Sequence, residues 1–491
     1  MANSYLSKDF GSAGNRKTMT FSWWYKSCGV STGGQNQCVA ISGQQQSYPT
    51  HSIRIDQNDR LYVRSGIAAG SGDSIAVVTT RKFQDRSSWY HFVVAIDMTQ
   101  STEANRVKVY VNGVQETAFD IAVYSSQNYD SQFNRGHETE EIGRFNASST
   151  YDGITTYTDG HFAHYHFVDG TALTPSTFGS TDSTTGEWKP NLSPTISSYG
   201  THGFFLKFEN AGALGTDSSG NSKTWSVNGN VKQSASTPSN LFNTLNPNES
   251  YQTNLITAIK YAGTGWEDAN TGADGPKGSA GTLAMTKGKW YYEFKYASPA
   301  MYSTFGISKA GSKASGQMIN TQYRDPFTQG NNGDGFGFQV GNVATLISRG
   351  DNTQKQWLTD ASNANSNISV ATNGQICMCA FDLDAGKIWW GINGTWNTVP
   401  DSTTSTSSSQ IASGSNAHFT WTPDGEFYRS GHSEYNRFGN AAAQKLNFGE
   451  GRFGTDAVAS GNADSAGVGV FEFAPPSGFL AICTKNIKDT G

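Results

Sequence analysis

Two distant stretches of this chain are written to one pattern. "WYHFVVAIDM" (Trp89–Met98) leads through "TQSTEAN" into "RVKVYVNGVQ" (Arg106–Gln115), and "QICMCAFDLD" (Gln375–Asp384) leads through "DAG" into "GKIWWGINGTW" (Gly386–Trp396). Both read strand, Asp, turn, strand, Asn-Gly. Side chains alternate between the faces of a strand, so each stretch divides into two sets. Phe92, Val94, Ile96 and Met98 form one set and match Cys377, Cys379, Phe381 and Leu383. On the second strand Val107, Val109 and Val111 match Ile388, Trp390 and Ile392, while Lys108 and Tyr110 match Trp389 and Gly391. Both faces of the first strand are apolar in both copies, which predicts a strand inside a sheet that is covered on both sides. Asn-Gly is the signature of a tight hairpin turn with positive φ. The differing connections are variation of the kind loops tolerate.

A chain of 491 residues is too long for one core. With the pattern used twice, it predicts two domains of one all-β architecture, a β-sandwich each. Composition agrees: aromatics are 12 %, charged residues 15 % and glycines 55, which favours many short strands joined by tight turns over helices. The Ser/Asn/Pro-rich stretch Ser226–Ser250 marks the boundary. We expect domain one at residues 1–235, a linker at 236–250 and domain two at 251–491. The Ser/Thr run Asp401–Gln410 is expected as an exposed loop within the second.

The net charge is −5 and no basic tract is present, which argues against nucleic acid as a partner. No apolar run approaches the roughly 20 residues needed to cross a bilayer, so membrane insertion is not expected. "MANSYLSKDF" lacks a secretory pattern, so synthesis in a cytoplasm is expected. The five cysteines, Cys28, Cys38, Cys377, Cys379 and Cys483, are expected as reduced thiols, with Cys377 and Cys379 filling a core.

"WYHFVVAIDM…VKVYVNG…EIGRF…TDGHFAHYHFVDGTALTPSTFG" resembles the concanavalin A-like, laminin G-type jelly roll. "GEWKPNL…YGTHGFFLKFENAGALGTDSSGNSKTW" is similar to the version found in structural proteins of tailed bacteriophages, notably marine ones. "GKWYYEF…GDGFGFQV…CAFDLDAGKIWWGINGTW…LNFGEGRF…PPSGFLAICTKN" resembles a SPRY-like concanavalin fold. The resemblance implies a non-enzymatic virion surface protein, a tail fibre, spike or capsid-attached component made in the host bacterial cytoplasm. Its implied partners are other virion proteins and a host-cell glycan or receptor. Copies are expected to assemble by symmetry, a trimer first. The alternatives are a purely architectural capsid or tail decoration and a polysaccharide depolymerase.

Sandwich glycosidases need paired carboxylates on one strand face, about 5 to 5.5 Å apart for retention. "HETEEIGRF" places Glu138 and Glu140 at the same parity, but the spacing continues into Ile142 and Arg144, so an acidic loop leading into a buried strand is expected and no catalytic site. For sugar binding the expected residues are aromatic. Trp389 points away from Trp390 and neighbours Gly391, which is expected to leave its ring accessible. Trp396 follows the Asn-Gly turn, and Trp421, Tyr428, His432 and Tyr435 fall on what reads as a long loop. Calcium, the other recurrent ligand of this fold, would need several oxygens; "DQNDR", "GTDSSGN" and "GNNGDG" supply some, and Asx turns explain them more simply. No metal or other cofactor is assigned. His161, His164 and His166 are expected as packed or edge-exposed strand residues.

Overall fold

In the computed structural model the described residues are 4–28, 38–45, 48–66, 73–146, 155–250, 259–268, 275–297, 302–310, 335–340, 344–350, 353–359, 371–399, 405–436 and 442–490. The chain divides into two compact units, Met1–Gln233 and Ser234–Gly491.

The first unit begins with strands β1 (Tyr5–Phe10), β2 (Thr18–Ser27), β3 (Cys38–Gln45), β4 (Tyr48–Ile55), β5 (Arg60–Gly66) and β6 (Asp73–Lys82). It continues with β7 (Tyr90–Asp97), β8 (Val107–Val111), β9 (Val114–Gln115), β10 (Phe119–Val123), β11 (Glu138–Ile142) and β12 (Arg144–Asn146). The last are β13 (Thr155–Tyr157), β14 (Gly160–Asp169), β15 (Gly179–Thr181), β16 (Trp188–Pro190), β17 (Phe204–Leu206) and β18 (Ser226–Asn228). An eight-stranded sheet runs β10-β6-β5-β4-β3-β11-β1-β18 and a six-stranded sheet runs β17-β14-β2-β7-β8-β9. One apolar core draws on both, for example Ile53, Val63 and Val77 from the first with Trp23, Val94 and Val109 from the second.

The second unit repeats the plan. A seven-stranded sheet includes Tyr302–Lys309, Gly335–Val340 and Tyr428–Asn436, and a nine-stranded sheet includes Lys289–Lys295, Ile376–Asp382 and Lys387–Ile392. Phe305, Phe338 and Tyr428 meet Trp290, Phe294, Cys379 and Trp390 between them. Both units are therefore β-sandwiches.

The two hairpins read from the sequence keep the same register. Phe92 pairs with Val111 and Val94 with Val109; Cys377 pairs with Ile392 and Cys379 with Trp390. Asn112 and Gly113 have φ of 48° and 82°, and Asn393 and Gly394 have 46° and 78°. Each asparagine also grips the start of its neighbouring strand. The Asn112 N–H donates to the His91 carbonyl at 2.8 Å while its side-chain Oδ1 accepts the His91 N–H at 2.8 Å. Asn393 does the same to Ile376, at 2.8 and 2.9 Å. Each following glycine lies under an aromatic ring: an added Cβ would come within 2.6 Å of Trp188 at Gly113 and 3.0 Å of Phe473 at Gly394.

Two expectations about organisation are corrected. Residues 236–250 are not a free linker: Phe242 and Leu245 are buried in the second unit, Phe242 bridges to Cys483, and Leu245–Ser250 is a strand paired with Gly275–Gly281. Low charge there reflects burial. The Ser/Thr run holds a short helix, Ser408–Ala412, whose N-cap Ser407 forms a reciprocal capping box with Gln410; residues 401–404 lie outside the described residues.

Asn393→Gly keeps the positive φ but leaves the Ile376 N–H without its side-chain acceptor, an expected loss of about 1 kcal/mol. Asn393→Ala adds backbone strain, for about 2 kcal/mol in all. Urea unfolding followed by tryptophan fluorescence checks the order, and equal losses for the two variants would contradict it.

Candidate functional site

The rings expected to meet a sugar are mostly interior. Trp389 is 0 % exposed and Trp396 4 %, both in a second apolar cluster with Phe242, Tyr291, Ile411, Phe471, Phe479 and Ala481. That cluster covers the outer face of the sheet holding Ile376–Asp382, so the Trp389 face is buried as thoroughly as the Trp390 face. Gly391 opens no window, because a Cβ there would meet the Met378 methyl at 2.5 Å and Thr395 O at 2.5 Å. It is glycine because the neighbouring chain crowds it. Trp389 Nε1 donates to Ser415 O at 3.0 Å and Trp396 Nε1 to Ser408 Oγ at 3.1 Å, which satisfies both indoles internally.

The segment expected as one long loop is largely strand. Tyr428–Asn436 pairs on one side with Gly275–Ala280 and on the other with Tyr302–Lys309. Tyr428 is 3 % exposed and His432 2 %, stacked on Phe294 at 4.7 Å, with burial holding its imidazole down at about 3. Tyr435 takes its backbone place between Pro276 and Tyr302; its side chain lies outside the described residues.

Trp421 is half-buried and stacks on Phe336 at 4.4 Å. It opens a stretch of that segment that lies at the surface, Thr422–Phe427, every residue of it exposed and Phe427 56 % so. Lys309 Nζ holds Asp424 at 2.6 Å, and Asp424 Oδ1 accepts the Glu426 N–H at 3.1 Å. These bonds fix the Asp424 carboxylate in the same short stretch as the Phe427 ring and the Thr422 hydroxyl. Phe427 was not singled out from the sequence, although it lies inside the segment judged most ligand-like.

The acidic cluster of the first unit is a strand, not a loop. Glu138 and Glu140 pair with Phe10 and Lys8, at the same parity as Ile142, which faces the core. Both are buried, at 4 % and 6 %, around the His51 ring. His51 Nε2 lies 2.9 Å from Glu140 Oε2. Its Nδ1 lies 3.2 Å from Thr50 Oγ1, which in turn donates to Glu138 Oε2 at 2.6 Å. Arg135 closes the group from outside, 3.3 Å from Glu138 Oε1. One nitrogen of His51 and one oxygen of each glutamate lie within 4.8 Å of one another, which is ligand-like spacing. The two ring nitrogens nevertheless face opposite carboxylates, so the three groups enclose a proton better than a cation. Burial pulls the imidazole down, but the charge and hydrogen bond of Glu140 and the charge of Glu138 outweigh it against Arg64, and its pKa is raised. Burial likewise raises Glu138. The sequence did carry a signal: His51 shares parity with the core residues Ile53 and Ile55.

The calcium-like loops are tied internally. Asp56 Oδ1 accepts the N–H of Asn58 and of Arg60, and its Oδ2 the Arg60 guanidinium at 2.8 Å. Asp217 accepts from the backbone of Phe205, Ser219 and Lys223. Residues 330–334 of "GNNGDG" lie outside the described residues. Of the three clustered histidines, His164 has φ of 45° at a bulge in β14. His166 reaches the Tyr199 hydroxyl at 2.9 Å and stacks on Phe205 at 3.8 Å.

A second buried acid was missed. Glu293, in a strand of Trp and Tyr, is 0 % exposed and accepts four bonds: from Tyr291 Oη at 3.0 Å, Asn447 Nδ2 at 3.1 Å, Glu472 N at 3.0 Å and Phe473 N at 2.8 Å. Burial pushes its carboxyl up to about 7 against those donors.

Trp389→Ala is expected to cost about 3–5 kcal/mol in denaturant unfolding, as a core truncation and not a surface change. Both buried acid–base groups make stability fall as pH rises. His51 has a raised folded pKa, so its contribution is whole below about 6.5 and is lost as pH climbs through the folded value. Glu293 contributes fully below about 4.5 and loses that contribution up through about 7. Buried histidines with lowered pKa, His91, His418 and His432, act in the opposite sense below about 6.5, so each contribution is read from the melting-temperature difference between variant and parent from pH 4.5 to 9, which should shrink with rising pH above about 6.5 for His51→Gln and between about 4.5 and 7 for Glu293→Gln. An unchanged profile in either variant would contradict its assignment.

Residues 2–176 match the family Laminin_G_3, described as the concanavalin A-like lectin/glucanases superfamily. Among solved structures the chain is similar to the SPRY domain of human HERC1, at 13 % identity and TM-score 0.26, covering 41 % of this chain and 96 % of that one. It is similar to the TRIM65 PSpry domain at 9 % identity and TM-score 0.21, covering 34 % and 67 %. The heptameric SAP-like pentraxin of Limulus polyphemus gives 14 % identity and TM-score 0.26, covering 39 % and 87 %. No curated protein sequence matches. Residues 2–176 are thus similar to a concanavalin A-like domain of the lectin/glucanase type, and the chain as a whole is nearly all β.

Proposed function

We propose that this chain is a non-enzymatic bacteriophage surface protein, a tail fibre, spike or capsid-attached component, that binds a host-cell glycan through exposed rim loops. The motif order resembling tailed-phage structural proteins supports the viral setting, and the lectin-type match over residues 2–176 supports carbohydrate as the ligand class. One observation bears most directly on mechanism: Thr422–Phe427 places a 56 % exposed phenylalanine next to half-buried Trp421, with Asp424 anchored by Lys309. A sugar ring can lay its C–H face on such a ring while neighbouring oxygens take its hydroxyls. The paired acids Glu138 and Glu140 lie between the sheets, bonded to His51 and Thr50, which favours binding over cleavage of a polymer.

Phe427→Ala should reduce retention on a glycan array and adsorption of the protein to host cells by roughly tenfold. It should move unfolding free energy by no more than about 0.5 kcal/mol. Unaltered binding by Phe427→Ala and Trp421→Ala together would remove this rim from the site. Immunogold labelling of particles tests the viral setting separately.

A further inference from the structure

We propose that β10 is a homotypic docking edge, through which two copies of this chain join antiparallel about Ala122. The strand lies at the end of the eight-stranded sheet and pairs only with β6. Its outward N–H and C=O groups have no partner among the described residues, which makes the edge a template for another strand.

Comparison with the other ends of the same unit shows how unusual this is. The opposite end of that sheet is the three-residue β18, and the six-stranded sheet ends in the three-residue β17 and the two-residue β9. Short edge strands are a common device against unwanted pairing, as are lysine and proline on the edge. β10 has five residues, "FDIAV", with neither lysine nor proline. Its single charge is turned back into its own sheet: the two oxygens of Asp120 accept from Arg60 Nη1 at 3.0 Å and Thr80 Oγ1 at 2.7 Å.

A bulge sets what the strand shows. The register slips between Phe119, opposite Thr79, and Ile121, opposite Val78. Phe119 therefore packs toward the core, whereas Ile121 and Val123 follow Val78 and Ala76 to the other face, 41 % and 45 % exposed. Beyond the bulge the strand is regular.

The occupant follows from self-complementarity. In an antiparallel pair centred on Ala122, Ile121 of each copy faces Val123 of the other, giving two apolar β-branched cross-strand pairs. Ala122 faces Ala122. Asp120 comes opposite Tyr124, so no like charges meet, although the whole chain carries −5. An isologous twofold contact of this kind closes on itself, in place of the threefold expected from sequence.

Sedimentation velocity of the full chain across a concentration series tests the pairing, together with a cross-link. Directly opposite residues of an antiparallel ladder have Cα atoms about 4.5–5.5 Å apart, within disulfide reach. The native cysteines are all buried and do not compete. Ala122→Cys should oxidise to a covalent dimer at least tenfold faster than Val227→Cys, a control at the opposite edge, which is also exposed. Ile121→Lys with Val123→Lys should weaken association at least tenfold while leaving the melting temperature in place. A chain that stays monomeric at every concentration, association that survives the double lysine variant, or equal cross-linking of the two cysteine variants would each overturn the pairing. None of these measurements involves a glycan or a virion, so they stand apart from the proposed function.

Discussion

One asparagine side chain in each unit fixes the hairpin on which the rest of that unit is laid. Asn112 and Asn393 accept positive φ in their turns and use both backbone N–H and side-chain oxygen to hold a residue at the start of the preceding strand, His91 or Ile376. A hairpin held at its open and closed ends cannot slip by one residue, and a one-residue slip would turn every core side chain to the wrong face. The glycine that follows completes the device. Lacking a Cβ, it lets Trp188 or Phe473 lie on the turn, and each of those residues belongs to a segment that covers the outer face of the sheet.

That outer cover explains both what could be read from the sequence and what could not. Period-two alternation pointed to the two hairpins and to the side-chain sets that line each sandwich core, because those depend on residues close in sequence. It also indicated that both faces of the first strand of each hairpin were covered. It could not name the cover, since Phe471, Phe479 and Ala481 lie 82 to 92 residues beyond Trp389 in the chain and carry no pattern pointing back to it. The expectation of an accessible Trp389 set Gly391 against that general rule, and the rule prevailed. The loop expected around Tyr428 and His432 failed for a related reason: "RSGHSEY" has no apolar alternation, yet it is paired on both sides through its backbone.

Buried polar groups carry a parallel lesson. His51 with its two glutamates in the first unit, and Glu293 in the second, sit where the alternation calls for apolar side chains. Each is costly alone and is satisfied by several partners, so loss of any one partner leaves a buried group exposed to its full desolvation cost. Glu293 receives its donors from an adjacent tyrosine, a neighbouring strand and the backbone of Glu472 and Phe473. It thereby ties the segment bearing Phe473 to the sheet, and Phe473 is the ring that lies over Gly394. The acid and the asparagine turn thus hold the same cover from two directions.

Spending these groups inside has a consequence for the surface. Where several imidazoles and carboxylates are consumed by the fold, recognition at this rim falls to a hydroxyl, one anchored carboxylate and a ring, those of Thr422, Asp424 and Phe427. Such a surface offers weak individual contacts, and repeated copies strengthen weak contacts by raising effective concentration without adding new ones. A strand edge in the first unit whose one charge, Asp120, is turned back into its own sheet would give this chain a way to gain copies while its rims stay open. Recognition and self-association would then draw on different units: a loop of the second for the ligand, backbone at a sheet edge of the first for the partner.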